Sequence, residues 1–370
     1  MKFPKITIYD RYIFKQVLFA TLVAILLFTI VWIAPEMLLE TIQRTLEGHY
    51  TVKTAILVLF YELPKILAKA FPVGLLLGTL FTFDKLSKDS ELTIFRAVGL
   101  SFKRILAPIM VLSVIFTFLC YYTGDKVIPY TTYKMDKMNG YKQSTQFMYT
   151  QKDKDGHLLQ TIIASKTQVK NLYDVIVLDF SKQIYSDVHQ LSNIYFAKSG
   201  KVMDDHWELY DIVRYKISND GIFTSISNHK KMSVLDEQSA KNAYTLMYYS
   251  TKKERDINCR DLRNYVKLLK SEGMDEEYRY MLNKYLQRYF HPFVCILLAI
   301  MGCLLGFSKP REQRLIGFTI AIGCIFIYYI TLPFFDLLAE KGVLHPLITA
   351  AFPPLAFTAA IIGFYKIKDL

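Results

Sequence analysis

A short stretch of mixed charge, Ser87–Ser101 with the sequence SKDSELTIFRAVGLS, lies between two long apolar runs. The carboxylate of Glu91 and the guanidinium of Arg96 can each form a charge-assisted hydrogen bond with a partner. The stretch is too polar to enter a bilayer and too short to form a domain. We predict a short helix that Ser87 caps at its start and Gly99 ends. The residues of this stretch are suited to binding a partner and not to catalysis.

Apolar side chains recur at every third residue of this predicted helix. Leu92, Phe95 and Val98 would lie along one side and form an apolar stripe. Such a stripe fits either a groove on a protein partner or the lipid surface of a membrane. The polar side carries charges of both signs instead of a basic excess, which favours the protein partner and leaves the lipid alternative open.

Sequence motifs for nucleotide or catalytic chemistry are absent. The chain contains no Gly-x-x-x-x-Gly-Lys-[Ser/Thr], no His-Glu-x-x-His and no Gly-x-Ser-x-Gly. Its five cysteines include no Cys-x-x-Cys pair, which disfavours a zinc site or a disulfide framework. His206 follows two aspartates and could suggest a metal ligand, but a turn before it and an apparent strand after it favour a solvated hairpin end. We therefore predict a non-enzyme that binds no metal and no cofactor of its own.

The composition indicates a membrane protein with a large polar part. The 370 residues are 52% hydrophobic, and their mean hydropathy is +0.21. This value is too apolar for an ordinary soluble protein and too polar for a chain made only of spans. The formal charge of +12 fits basic loops beside a membrane. A nucleic-acid surface is disfavoured because the basic residues are not interleaved with aromatic ones.

Six apolar runs are long enough to span a bilayer, which takes roughly 20 residues. The second run is interrupted by charged residues and prolines, so its first half is predicted to lie partly in the interface or to line a polar cavity. The runs are 13–35, 54–83, 102–123, 288–307, 314–335 and 344–365.

Basic residues are distributed unequally between the two sides of these spans. The N-terminus, the 84–104 loop, the 308–314 loop and the C-terminus are basic, and with six spans all four fall on one side. Both termini and the short charged helix are therefore predicted to face the cytoplasm. The basic residues beyond the N-terminus are Lys85, Lys88, Arg96, Lys103, Arg104, Lys309, Arg311, Arg314, Lys366 and Lys368.

The segment 125–275 has no long apolar run and would lie outside the cell membrane. Its short alternating pieces are separated by turn signals at Asp155-Gly156, Ser199-Gly200 and Asn219-Asp220-Gly221, as in a β-sandwich or jelly roll. The predicted fold is an integral membrane α+β protein, with three plus three transmembrane helices flanking an external β-jelly-roll domain. The predicted bounds are 1–124, with the short helix at about 86–99, then 125–275 and 276–370.

Two segments combine prolines, small residues and charged motifs in a specific order. Pro64–Ser101 contains two prolines, small residues and a Ser-Glu-Leu element, and Arg288–Arg311 contains a proline that enters the fourth span, small residues and a final Pro-Arg. Both segments resemble the LptF/LptG permease family. Trp207–Ile217 is similar to a strand of the family's external domain. One departure is Phe352-Pro353-Pro354, where the family tends to have Trp and then Pro-Asn; the role of that Asn is therefore in doubt here.

The resemblance implies a permease subunit of the ABC transporter that extracts lipopolysaccharide from the inner membrane. Family members pair with a paralogous six-span permease above a cytoplasmic ATPase dimer, which consumes the ATP, and pass lipid through a periplasmic β-domain to a jelly-roll bridge protein. The short charged helix would then be the coupling helix that contacts the ATPase, and Glu91 matches the family's coupling acid. The implied coupling residues are Glu91, Leu92, Phe95, Arg96 and Gly99.

The phosphorylated sugar head of this substrate implies contacts with basic side chains. Lys65 and Lys69 are four residues apart and share one side of the second span, and Arg44 follows the first span. The alternative for Lys65 is an internal ion pair with Glu62, and the sequence leaves the choice open.

The sequence leaves two other functions open. An ABC-linked scaffold could move an external domain without carrying lipid itself. A membrane-embedded enzyme acting on lipid head groups is disfavoured, because the chain lacks a paired-carboxylate, histidine or metal constellation.

Overall fold

The computed structural model describes residues 7–33, 37–139, 146–152, 157–168, 170–182, 189–203, 205–218, 220–307 and 314–367. Lys309 and Arg311 of the predicted basic loop, Lys368, and the turn residues Asp155, Gly156 and Asn219 lie outside this set. The chain divides into two compact units. One comprises Met1–Met135 with Glu254–Leu370, and the other comprises Asp136–Lys253.

The first unit is helical. Six of its described helices are long and apolar enough to cross a membrane, which confirms the predicted number of spans. The α-helices among the described residues are α1 Ile8–Ile33, α2 Leu39–Leu46, α3 Val52–Lys88, α4 Glu91–Ala97, α5 Phe102–Tyr122, α6 Ile128–Asn139, α7 Glu237–Ser250, α8 Cys259–Ser271, α9 Asp275–Gly306, α10 Arg314–Glu340 and α11 Pro346–Ile367. The six candidate spans are α1, α3, α5 with its continuation, α9, α10 and α11.

Helix α5 with its continuation and helix α9 extend furthest beyond their predicted spans. A π-helical segment, Thr123–Val127, joins α5 to α6 without a break. The fourth span begins at Asp275, thirteen residues before the predicted start at 288, and three acidic residues occupy its first turn, where the helix dipole favours them. The helices before residue 139 and after residue 275 are therefore longer than the predicted spans.

Helix α3 is one continuous helix of 37 residues, and it includes the charged residues and prolines that interrupt the apolar run. It contains Pro64 and Pro72, and a proline removes one main-chain hydrogen bond to the carbonyl four residues earlier. For Pro72 that carbonyl belongs to Ala68, and it accepts a hydrogen bond from the Cys120 thiol at 3.7 Å. A neighbouring helix thus satisfies the carbonyl group that the proline leaves open.

Glycines allow α1 and α9 to approach α3 closely. A Cβ atom on Gly78 would lie 2.6 Å from the Thr21 Cα atom of α1, and one on Gly306 would lie 2.5 Å from the Leu80 carbonyl oxygen of α3. Such small-residue contacts are a common way for membrane helices to pack without a hydrophobic driving force. Helix α3 therefore packs closely on both α1 and α9.

The second unit is built on one antiparallel sheet of six strands, in the order β1-β2-β3-β4-β5-β6. The predicted class, an integral membrane α+β protein, is thus confirmed. Where a jelly roll was predicted, the described strands form a single sheet in which each strand pairs with the next strand in sequence. The strands are β1 Phe147–Lys152, β2 Leu158–Gln168, β3 Asn171–Lys182, β4 His189–Val202, β5 Trp207–Ile217 and β6 Phe223–Val234.

One face of this sheet is buried. Ile162, Val177 and Ile212 are each at most 1% exposed. Trp207 is fully buried, and its indole nitrogen donates a hydrogen bond to the Ala240 carbonyl oxygen of α7 at 3.3 Å. The compact β unit, 136–253, is narrower than the segment 125–275 assigned from sequence, because α8 packs against α9 of the helical unit.

Candidate functional site

The short charged helix predicted between the second and third spans is α4. Helix α3 continues to Lys88, so α4 begins only at Glu91, after Ser90 in the left-handed region with φ +60°. The predicted cap at Ser87 is therefore wrong. Ser87 is buried inside α3, and its hydroxyl donates to the Gly306 carbonyl oxygen of α9 at 3.3 Å. The cause is propagation of α3, whose packing on α9 extends the helix past the polar residues.

The predicted end of α4 at Gly99 is confirmed. Gly99 has φ +90°, and its amide donates to the Arg96 carbonyl oxygen at 2.9 Å. The amide of Leu100 donates to the Phe95 carbonyl oxygen at 3.1 Å. This pair of bonds is the Schellman arrangement, which satisfies the last carbonyl groups of a helix and turns the chain sharply. The turn leads directly into α5.

The predicted apolar stripe of α4 is divided between two sides of the helix. Leu92 is 2% exposed, and the Phe95 ring meets the Tyr9 ring edge to face at 4.8 Å. These two residues pack into the protein's own core and hold α4 in place. Val98 is 77% exposed and Ile94, four residues earlier, is 57% exposed. The outward apolar surface of α4 is therefore Ile94 and Val98, and the stripe as predicted is corrected.

The charged residues of α4 bind to two neighbouring helices. The hydroxyl of Tyr12 in α1 donates to Glu91 Oε1 at 3.0 Å, and Glu91 remains partly exposed. The Arg96 guanidinium lies 5.6 Å from the centre of the Phe307 ring, just after α9, a distance typical of a cation–π contact. Helix α4 is thus fixed to the ends of α1, α3 and α9.

A further ion pair joins the same ends of α1 and α5. Arg104 Nη2 lies 2.6 Å from Asp10 Oδ2, and the same carboxylate oxygen accepts hydrogen bonds from the amide and hydroxyl of Thr7 at 2.9 and 2.8 Å. Sequence reasoning missed Tyr9, Tyr12 and Asp10. Their spacing near a basic N-terminus suggests only an interfacial segment, and their partners are 79 to 94 residues away in sequence.

The three basic residues assigned to the substrate do not share one set of partners. Lys65 is 9% exposed; its ammonium donates to Glu62 Oε1 at 3.0 Å and lies 3.5 Å from Asp256 Oδ1. The structure thus shows the internal ion pair that was the alternative for Lys65. Lys69 is half-buried, and its carbonyl oxygen accepts a hydrogen bond from Tyr329 at 2.8 Å.

Arg44 lies on α2 and is partly exposed. Its guanidinium contacts Glu40 at 2.7 Å and the Tyr50 hydroxyl at 2.9 Å, and its side chain is 44% exposed. The hydrogen bond to Tyr50 raises the pKa of Arg44 above its ordinary value. Helix α2 and the start of α3 also enclose an open apolar groove of about 240 Å³. Its lining residues are Leu38, Thr41, Ile42, Thr45, Leu46, Val52, Ala55, Ile56 and Leu59.

The second face of the sheet is apolar and partly exposed. Pairing places Phe196 beside Val213, and Tyr215 lies between Ile194 and Ile226 in the next row of the same face. Phe196 is 44% exposed and Ile226 is 65% exposed. The Phe196 and Tyr215 rings are in edge-to-face contact at 5.6 Å. A sheet face of this kind offers contacts for an apolar ligand.

His206 lies at the end of the β4–β5 hairpin, where the sequence placed it. Its two ring nitrogens lie 2.8 Å from Asp205 Oδ1 and 3.2 Å from Glu208 Oε1. Glu208 also contacts Lys231 at 2.6 Å and Tyr210 at 2.5 Å. Hydrogen bonds from Lys231 and Tyr210 lower the pKa of Glu208 to about 2, and the bond to Glu208 raises the pKa of His206. The cluster is a compact ion network that joins β5 to β6.

Comparison with known proteins agrees with the resemblance seen in the three segments. Residues 11–366 match the family model described as "Lipopolysaccharide export system permease LptF/LptG". The chain is 22% identical to the "Lipopolysaccharide export system permease protein LptG" of Escherichia coli (strain K12) over 361 residues, which cover 94% of this chain and 95% of that protein. It is 24% identical to the protein of the same name from Haemophilus influenzae (strain ATCC 51907 / DSM 11121 / KW20 / Rd) over 370 residues, covering 95% and 96%.

Proposed function

Since the chain belongs to the LptF/LptG family of lipopolysaccharide export system permeases, we propose that it works as one half of an ABC transporter driven by a separate ATPase. Its place would be the bacterial inner membrane, with both termini in the cytoplasm and the β unit in the periplasm. The basic flanks of the spans support this orientation. The second half would be a paralogous six-span permease, and the ATP would be hydrolysed by a cytoplasmic ATPase dimer.

The attachment of α4 is the observation that carries this proposal. The helix is fixed on its inner side by Leu92 and Phe95, and it presents Ile94, Val98 and the partly exposed Glu91 outward. A small apolar patch beside a carboxylate suits a groove on a protein that carries a basic residue. Because α4 is bound to the ends of α1, α3 and α9, movement of the ATPase would be passed to all three spans as movement of a rigid element.

The half-exposed sheet face is proposed to receive the acyl chains of the lipid. Phe196, Tyr215 and Ile226 form a continuous apolar surface. Such a surface suits the acyl chains of a lipid better than it suits a polar solute. Transfer would continue along this face toward a periplasmic jelly-roll bridge protein. The scaffold alternative, in which the chain moves the β unit without carrying lipid, predicts that lipid never touches this surface.

Substitution of Glu91 by lysine is the direct test of the coupling step. Glu91→Lys should leave the protein in the membrane, while co-purification of the ATPase and export of lipopolysaccharide are lost. Glu47→Lys makes the same charge change at an exposed site beyond α2 and should have no effect on either. Normal export by Glu91→Lys would disprove the assignment of α4 as the coupling helix.

A photoreactive amino acid at position 196 tests the lipid path. In the assembled transporter it should capture lipopolysaccharide only when ATP is supplied. A crosslinker at Ile162, on the buried face of the same sheet, is the matched control and should capture none. Absence of capture at position 196 during active export would favour the scaffold.

A further inference from the structure

Residues 254–259, which follow the β unit in sequence, are bound to several membrane helices at once. Arg288 Nη2 of α9 donates to the Glu254 carbonyl oxygen at 2.5 Å. The amide of Cys259 donates to Asp125 Oδ1 in the π-helical segment at 2.6 Å. Between them, the carboxylate of Asp256 is only 10% exposed and lies 3.5 Å from the Lys65 ammonium of α3. This segment is therefore held by three separate elements.

Asp256 also bonds to the helix through which the chain enters the β unit. The hydroxyl of Thr132 in α6 donates to Asp256 Oδ1 at 3.1 Å, the same oxygen that faces Lys65. The β unit begins at Asp136, four residues after Thr132, and ends at Lys253, three residues before Asp256. The two chain connections of the β unit thus meet on one carboxylate oxygen, and that oxygen is tied to α3.

The same α3 leads to α4. Lys65 and Lys88, the last residue of α3, are 23 residues apart, which corresponds to about 35 Å of helix at 1.5 Å per residue. Since α3 is unbroken between Lys65 and Lys88 and is packed closely on both α1 and α9, it can transmit a displacement over this distance. The last residues of α3 lead to α4, and Lys65, thirteen residues after the start of α3, contacts Asp256.

We propose that Asp256 is a positioning residue that passes the movement of α3 to both connections of the β unit. The inference rests on the proposed function, because it takes the movement of α4 from the ATPase. We call Lys65, Asp256 and Thr132 the joint. Lys65, with Glu62 at 3.0 Å, is the α3 side of this joint and not a substrate-binding residue. Thr132 is the α6 side of the same joint. Breaking the joint should separate ATP hydrolysis from lipid transfer without disturbing the assembly.

The test uses the full transporter in nanodiscs, with the photoreactive residue at position 196. Asp256→Asn should retain the ATPase and hydrolyse ATP within about twofold of the wild type, while ATP-dependent capture of lipopolysaccharide falls at least tenfold. Asp256→Glu, which keeps the carboxylate, should restore most of the capture. Thr132→Val removes only the α6 contact and should lower capture by about threefold with hydrolysis unchanged.

Asp336→Asn is the matched control. Asp336 pairs with Lys284 at 2.5 Å and has a side-chain exposure of 13%, so its loss disturbs a comparably buried ion pair. It has no described bond to α3 or to residues 254–259, and its substitution should not separate hydrolysis from capture. The role of the joint would be disproved if Asp256→Asn captured lipopolysaccharide as the wild type does. It would also be disproved if hydrolysis and capture fell in parallel in both Asp256→Asn and Asp336→Asn. Absence of ATP-dependent capture in the wild type would instead overturn the proposed function on which it rests.

Discussion

The Tyr12 hydroxyl donates a hydrogen bond of 3.0 Å to Glu91 Oε1, and this bond joins α1 to α4. It connects residues 79 positions apart. Glu91 is therefore not a free surface carboxylate but one whose orientation a tyrosine helps to set. If an ATPase residue pairs with Glu91, part of the ordering needed for that contact is already present in the permease.

Removal of this bond should weaken ATPase binding moderately. A hydrogen bond to a charged group contributes about 1.5–3 kcal/mol when shielded, and less at an exposed site such as this one. We expect Tyr12→Phe to raise the dissociation constant of the ATPase about two- to tenfold in a titration on nanodiscs. Tyr130→Phe, an exposed tyrosine of α6, should leave it unchanged. Tighter binding by Tyr12→Phe would show that Tyr12 competes with the ATPase for Glu91.

Close packing of α9 on α3 should make Gly306 intolerant of any side chain. A Cβ atom there would lie 2.5 Å from the Leu80 carbonyl oxygen, and overpacking of this kind typically costs about 1–3 kcal/mol. Gly306→Ala should therefore lower the thermal stability of the purified permease by several degrees.

The control is Gly323→Ala in α10, because nothing lies within 4 Å of a Cβ atom at that position. Its melting temperature should equal or exceed that of the wild type, since alanine has the higher helix propensity. Equal melting temperatures for the two variants would contradict the close helix contact.

A glycine should be required at position 99 because of the backbone conformation there, and not because a side chain would lack space. A Cβ atom at Gly99 meets nothing within 4 Å, but φ is +90°, where a side chain costs about 1–2 kcal/mol. Gly99→Ala should displace the end of α4 and reduce co-purification of the ATPase, with the melting temperature little changed. Gly363→Ala, in open space with an ordinary φ, should bind the ATPase normally. Normal binding by Gly99→Ala would show that the Schellman turn is dispensable.

The hairpin cluster around Glu208 predicts a pH-dependent stability. Hydrogen bonding to Glu208 raises the pKa of His206 above 6.5, so the folded state binds the proton more tightly than the unfolded state does. The stabilisation is complete below pH 6.5 and is lost as the pH rises through the folded pKa. Glu208, with a pKa of about 2, stays ionised over this whole range.

His206→Asn should therefore lower the melting temperature of the β unit in the full chain more at pH 5.5 than at pH 8.5. Intrinsic fluorescence of the buried Trp207, the neighbouring residue, can report this transition. His229→Asn, on the exposed part of β6, serves as the control. A difference between wild type and His206→Asn that grows with pH would refute the assignment of the proton to the folded state.

Local patterns in the sequence determined a large part of this protein. Apolar run length determined six spans, because a lipid-facing helix must satisfy its own backbone bonds over the full bilayer thickness. Alternation and turn residues determined an antiparallel β unit, and the Gly99 signal determined the end of α4. These features depend on residues that are close together in the chain.

Only the tertiary structure decided which side of α4 faces outward and what Lys65 contacts. Leu92 and Phe95 are apolar, and so are Ile94 and Val98. Leu92 and Phe95 are the pair that packs inward because α1 lies on their side of α4, and the spacing of apolar residues in α4 does not predict where α1 lies. Lys65 could have faced a lipid phosphate, but its ammonium lies 3.5 Å from the carboxylate of Asp256, 191 residues later in the chain. The predicted cap at Ser87 was wrong for the same physical reason: packing of α3 on α9 outweighed the weaker capping preference and carried the helix onward to Lys88.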